Sequence, residues 1–181
     1  MADPVIIVPY DVEWPRLFSS LGKALRTALG ETALRIDHIG STAVPGLDAK
    51  PIIDVQISVA DLEPLDAYRP SIEGLGFVWR ADNPDRTQRY FRERPGARRT
   101  HIHVRRFGSW SEQVALLFRD YMRAHPVDAG RYGELKRGLA AAYRDDRLAY
   151  TESKSTFIWG IMAQADRWSQ DTGWQPAPSD A

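Results

Sequence analysis

The chain has 181 residues, 43% hydrophobic and 27% charged, with 24 basic side chains balanced by 24 acidic ones. That length is one domain's worth and enough to bury a real core, and the charge balance supplies no net field to gather nucleic acid or an anionic membrane, although a local basic cleft stays open to it. The lack of cysteine excludes disulfides, thiolate metal sites and cysteine nucleophiles, and it fits a reducing, cytoplasmic setting.

At the start, MADPVIIVPYDVEW has a very short apolar run and no basic leader, so no signal peptide is expected. No stretch approaches the ~20 apolar residues of a membrane span. Residues 5–8 read as a short edge strand closed by Pro9. Leu17, Leu21, Ala24, Leu25 and Ala28 recur at helical spacing and Pro15 suits a first turn, which predicts a helix over 14–29 ended by Gly30. Residues 33–39 and 52–59 read as strands on either side of the turn Gly40-Ser41-Thr42. A helix is expected over 62–75, with Gly74 and Gly76 near its end. Three β-rich runs follow at 77–80, 89–93 and 100–107, joined by the turn-forming segments ADNPDRTQ and ERPGARR.

From residue 111 the pattern is helical. Val114, Leu117, Phe118, Tyr121 and Met122 form one apolar stripe that Pro126 stops. A second helix runs through Tyr132, Leu135, Leu139 and Ala142, and a third begins near residue 151 and carries Phe157, Ile158, Ile161, Met162, Ala165 and Trp168. Trp14, Trp159 and Trp168 are expected to pack in the core or between layers. The tail QPAPSDA is expected to fray, giving a single domain over 1–172 and a flexible tail over 173–181. The fold class is α+β (α/β): a mixed, partly antiparallel sheet flanked by helices, with a helical C-terminal third.

Strand alternation places Asp54, Gln56 and Ser58 on one face of the run 52–59, with Ile53, Val55, Ile57 and Val59 on the other. The same rule puts His101, His103 and Arg105 together on the run 100–107. Were the two strands neighbours, Asp54, His101 and His103 would form a set suited to a divalent metal; a histidine there can equally serve as a base or contact a phosphate. A polar face on a half-exposed sheet is the plainer reading of the histidines. Aspartate, however, suits strand interiors poorly, which favours a functional role for Asp54. Gly40 permits positive φ and close backbone approach, Ser41 and Thr42 add hydroxyls, and Lys50 follows as countercharge, so the turn can hold phosphate oxygens; the same tripeptide also makes ordinary turns and caps. Lys136 and Lys154, with Tyr150 one turn before, can reach such a phosphate or be solvated surface groups. Arg92, Arg94, Arg98 and Arg99 crowd one hairpin, as an anion-binding rim or a soluble tip.

The segment HIGSTAVPGLDAKPIIDVQI resembles the signature of the GrpB family, which is assigned to the nucleotidyltransferase-fold superfamily. VPYDVEWPRLF, LGF, RTHIHV, LLFRDYMRAHP, YGELKRGLA and YTESKSTFI fit the family too, so the resemblance covers nearly the whole chain. It implies a turn, Gly40-Ser41, that grips the phosphates of a nucleotide, with Asp54 as the first of the acids that hold magnesium. The superfamily's second acid falls at Gln56, and its third is sought where His101 and His103 stand, a departure that puts transferase activity in doubt and favours manganese or zinc over magnesium. The implied partner is a nucleotide or other phosphorylated small molecule, with nucleic acid not expected. The alternatives are an accessory ligand-binding module, as in members fused to dephospho-coenzyme A kinase, and a metal-dependent hydrolase using Asp54, His101 and His103.

Overall fold

The computed structural model describes residues 4–181. Helix α1 spans Trp14–Leu29, with Pro15 in its first turn and Gly30 (φ 51°) closing it. Its buried stripe is Trp14, Phe18, Gly22, Leu25 and Leu29, one position round from the expected one; Leu17 and Leu21 flank it. Strands β1 (Arg35–Ile39), β2 (Ile53–Val59), β3 (Phe77–Trp79), β4 (Gln88–Glu93) and β5 (Thr100–Arg106) form one sheet in the order β1-β2-β5-β4-β3. Only β2 and β5 run parallel; the other pairings are antiparallel. The expected mixed sheet is therefore present, with the strand of Asp54 and the strand of His101 and His103 as neighbours inside it.

Between β2 and β3 the expected helix over 62–75 shortens to α2, Arg69–Gly74, preceded by a 3-10 turn at Leu65–Ala67. Pro64 and Pro70 each lack an N–H, so neither can lie inside a helix without breaking its ladder. The helical third comprises α3 (Trp110–Ala124), α4 (Pro126–Ala142), α5 (Arg147–Ser153) and α6 (Ser155–Thr172). The single helix expected from residue 151 is thus two, and the first starts earlier because Asp146 caps it, accepting from the Ala149 amide at 2.9 Å. Residues 5–8 contribute one bridge, Val8 to Ala49, rather than a strand.

The two faces of the sheet carry different cores. Ile53, Val55, Ile57, Val59, Phe91, Ile102 and Val104 pack with α1 and α2, all but out of contact with water. Burial of side chains this size contributes roughly 1.5–3 kcal/mol each. On the other face α3, α4 and α6 build a second cluster around Tyr121, Met122, Tyr132, Ile161 and Ala165. Trp14 is buried and Trp168 half-buried against Tyr121 and His125, but Trp159 is 62% exposed and packs in neither core. The tail departs from the expected fraying. Ser179 Oγ accepts from the Ile36 amide at 2.8 Å, and an Asp180 carboxylate oxygen accepts from the His38 amide and from Arg119, each at 2.9 Å. Arg119 is fully buried, so its charge requires carboxylate partners, and Asp180, with Asp37 and Asp120, supplies one that holds the tail against β1.

Candidate functional site

The parallel register sets Asp54 opposite His101 and Gln56 opposite His103. Asp54 Oδ1 lies 3.1 Å from His101 Nδ1 and 3.4 Å from His103 Nε2. The other oxygen, Oδ2, is against the backbone of Gly40, where a Cβ would stand 2.7 Å from it. Gly40 also has φ 70°, so it is required twice over, by conformation and by space. Ser41 follows on the cavity wall. Thr42 is committed elsewhere: its hydroxyl donates to the Ile52 carbonyl at 3.1 Å, so it accepts from His38 Nε2–H at 3.0 Å. Burial keeps His38 neutral, pushing its pKa down to about 4. This pairing ties the end of β1 to the start of β2 and stiffens the turn.

A second relay orients His103. Asp85 accepts from Gln88 Nε2 at 2.8 Å, which fixes the amide so that Gln88 Oε1 faces His103 Nδ1 at 2.7 Å. The proton of a neutral His103 therefore sits on Nδ1, and its Nε2 lone pair points at the Asp54 carboxylate. Burial lowers the His103 pKa. Burial alone would raise that of Asp54, but pairing with His101 outweighs it and holds the carboxyl well below the usual range. An ionised carboxylate facing a bare ring nitrogen is satisfied by a cation between them. The donor set, one carboxylate and two imidazoles with ligand atoms within 4.8 Å of one another, fits manganese, iron or zinc. The Gln88 bond is the outer-shell support that metal-ligating histidines ordinarily have. Magnesium, which prefers oxygen ligands, fits this set poorly.

Gln56 and Ser58 share the Asp54 face but lie beneath α3, fully buried. Gln56 Oε1 accepts from Arg105 and its amide donates to the Glu112 carbonyl at 3.4 Å, while Ser58 donates to the Glu112 carboxylate. The position of a second acid is thus occupied by an amide bonded to a guanidinium, inside a packed polar network.

Asp54, His101 and His103 open onto a cavity of about 440 Å³ whose opposite wall is basic. Lys50, Lys136, Arg147 and Lys154 all line it. Lys50 and Lys154 stand over the Tyr150 ring at 5.0 and 4.6 Å, and Lys136 stands over Tyr132 at 4.5 Å. Burial, aided by neighbouring cations, lowers all three lysines, Lys50 to about 8 and Lys136 to about 7. The buried Tyr150 hydroxyl and His101 Nε2 have no hydrogen-bond partner. Such a surplus of cations beside an unmet hydroxyl donor is an arrangement for an anion.

The expected residues Gly40, Ser41, Thr42, Lys50, Asp54, His101 and His103 therefore meet at one cavity, as do Lys136, Lys154 and Tyr150. The arginine hairpin does not join them as a rim: Arg92 and Arg99 pair with Glu93, and Arg94 donates to the Glu73 carbonyl. The sequence reading missed Arg147, Thr151, Tyr90 and Tyr132. The spacing 147, 150, 151, 154 is one helical face and signals the first two; Tyr90 pairs with His103 across β4 and β5, which only the register reveals.

The mixed five-stranded sheet with its flanking helices is a nucleotidyltransferase-like fold. The structure of Cid1 with its short product ApU shares it, with a TM-score of 0.50 over 72% of this chain and 42% of that one at 14% identity, a likeness of fold alone. Within that class the chain belongs to the GrpB family, whose model, described as GrpB protein, matches residues 4–164. The crystal structure of conserved protein GrpB from Enterococcus faecalis matches with a TM-score of 0.82 at 36% identity, over 90% of this chain and 99% of that one. The UPF0157 protein PA4798 of Pseudomonas aeruginosa is 42% identical over 167 residues, which are 90% of this chain and 68% of that protein. A dephospho-CoA kinase of Mycolicibacterium paratuberculosis is 33% identical over 199 residues; the match takes in 96% of this chain but spans about half of that relative, 49%. No helix among the described residues is long and apolar enough to cross a membrane.

Proposed function

We propose that this GrpB-family domain binds a nucleotide or other phosphorylated small molecule in the cleft beside Asp54, together with one manganese or zinc ion held by Asp54, His101 and His103. The observation that carries the reading is the convergence of Lys50, Lys136, Arg147 and Lys154 on the cavity that also holds the carboxylate and the two histidines. The lysines and arginine neutralise phosphate oxygens, the Gly40-Ser41 turn lets a ligand approach the backbone, and His101 and His103 orient Asp54. A bound metal would supply Lewis-acid polarisation of a phosphoryl oxygen.

Transfer by paired magnesium ions is not part of this reading, because Gln56 is bonded to Arg105 where a second carboxylate would be needed. The dephospho-CoA kinase relatives, about twice the length of their match to this chain, favour an accessory ligand-binding module as the second reading. Thermal denaturation with pyrophosphate or a nucleoside triphosphate, with and without manganese, zinc or magnesium, tests both. A ligand at about 100 times its Kd stabilises the fold by about 2.7 kcal/mol, which at this size is a rise of roughly 5–10 °C. The metal-dependent part should vanish in Asp54→Asn. No shift with any phosphate or metal would sink the proposal. Binding without turnover of any nucleotide would select the accessory module.

A further inference from the structure

The Asp54 carboxylate has a second cavity on its other side, of about 330 Å³, between α3 and α6. The two cavities share Gly40, Ser41, Asp54, His103 and Tyr132, so they adjoin at the carboxylate. Their linings differ in the residues that the helices supply. In place of lysines the second compartment has Val114, Ala115 and Phe118 from α3 and Ile158 and Met162 from α6. These positions recur at one- and four-residue spacing, so each helix turns a single apolar face inward. Along the α3 and α6 walls the polar groups are few: Ser111 is engaged with Ser109 at 3.3 Å, and Arg105, on β5, gives Nη1 to Gln56 while its buried Nε has no partner. A nucleobase edge placed here would lose water and find few partners, which is costly, whereas a hydrocarbon loses nothing.

We propose that this compartment receives the hydrocarbon part of an amphiphilic phosphate ester, an alkyl, prenyl or aryl group, whose phosphate lies among Lys50, Lys136 and Lys154 and whose ester linkage passes Asp54. The inference rests on the phosphate-binding reading above and adds the class of the group carried by the phosphate. A volume near 330 Å³ lies within the range of small-molecule sites. The recess also holds Tyr132 at the seam, its ring edge-to-face with Phe118 at 5.8 Å, so an apolar wall continues from one compartment into the other.

Titration calorimetry of the full chain with pyrophosphate, then methyl, butyl and hexyl phosphate, separates the two ideas. Each methylene that enters the recess should tighten binding by up to about fourfold, so hexyl phosphate should exceed methyl phosphate by well over tenfold. It should also bind more tightly than adenosine monophosphate. Ile158→Asp and Ala115→Phe, one adding a charge and one filling the space, should each flatten the alkyl series; using both guards against one failing to fold. Pyrophosphate, which needs only the basic compartment, should bind all three proteins alike. Pyrophosphate binding with a flat alkyl series overturns the hydrocarbon site and leaves the phosphate reading intact. An alkyl series that survives both substitutions, or adenosine monophosphate outbinding hexyl phosphate, overturns it too. No binding by any of the phosphates removes the phosphate reading, and this inference with it.

Discussion

Replacing Lys136 by methionine should make the protein more stable near pH 6 and at the same time cripple anion binding. The ammonium is almost fully buried, and burial together with Lys154 and Lys50 lowers its pKa from 10.5 to about 7. At about 1.4 kcal/mol per unit, a charged Lys136 costs the fold at most about 5 kcal/mol. Its hydrogen bond to the Asp48 carbonyl and its contact with the Tyr132 ring return part of this, roughly 2–3 kcal/mol together. Methionine keeps the length of the side chain without the charge, so a net gain of about 2 kcal/mol is expected at pH 6. Above pH 7 the folded protein sheds this proton while the unfolded chain keeps it until about 10.5. Wild-type stability therefore rises with pH in that window, by up to about 1.4 kcal/mol per unit from this residue, and the variant lacks the rise. Urea denaturation at pH 6 and pH 9 measures the difference directly, and it should change sign between them. A stability difference that is the same at both values, or a variant less stable at pH 6, would refute the reasoning.

Other consequences are as direct. Gly40→Ala places a methyl 2.7 Å from Asp54 Oδ2 at φ 70°, so it should cost roughly 1–2 kcal/mol in denaturation and weaken manganese or zinc binding by calorimetry, as the carboxylate is pushed away. Gln88→Leu removes the group that orients His103 and should lower metal affinity by about 10–100-fold while leaving the fold's melting temperature nearly unchanged. Sulfate, whose own charge is constant near neutrality, should bind progressively more weakly from about pH 7 to pH 9 as Lys136 and then Lys50 lose their protons. Proton uptake on sulfate binding, read from calorimetry in buffers of different ionisation enthalpy, should accompany this; a flat pH profile would show the lysines are not the ligands.

Much of this was legible in the residues, and the remainder was hidden for physical reasons. The alternation of Asp54, Gln56 and Ser58 predicted a polar face correctly, because strand periodicity is set by local geometry. It did not reveal that only Asp54 faces the cavity, since the other two are covered by α3, and helix placement is a tertiary outcome. The pairing of β2 with β5 was a condition in the sequence and a fact in the structure. The helix expected over 62–75 from apolar spacing is shorter because that spacing does not register the N–H groups that Pro64 and Pro70 lack. The hairpin arginines left a rim and a soluble tip both open, because one-dimensional reading cannot see that Glu93 faces Arg92 and Arg99. The tail looked frayed because its composition is polar and proline-bearing, and the buried Arg119 that holds Asp180 lies 61 residues away.

That docked tail also settles how the sheet ends. As an edge strand, β1 would offer the backbone groups of Ile36 and His38 to any extended chain nearby. Here Ser179 and Asp180 accept from the two amides, the Ala181 amide and the Ser179 hydroxyl donate to the Ile36 carbonyl, and Arg119 donates to that of His38. The margin is saturated mostly by side chains, which form no strand of their own to be extended in turn. Growth of the sheet by addition of a foreign strand is thereby blocked on this side, and a chain shortened before Ser179 would carry a sticky border prone to self-association.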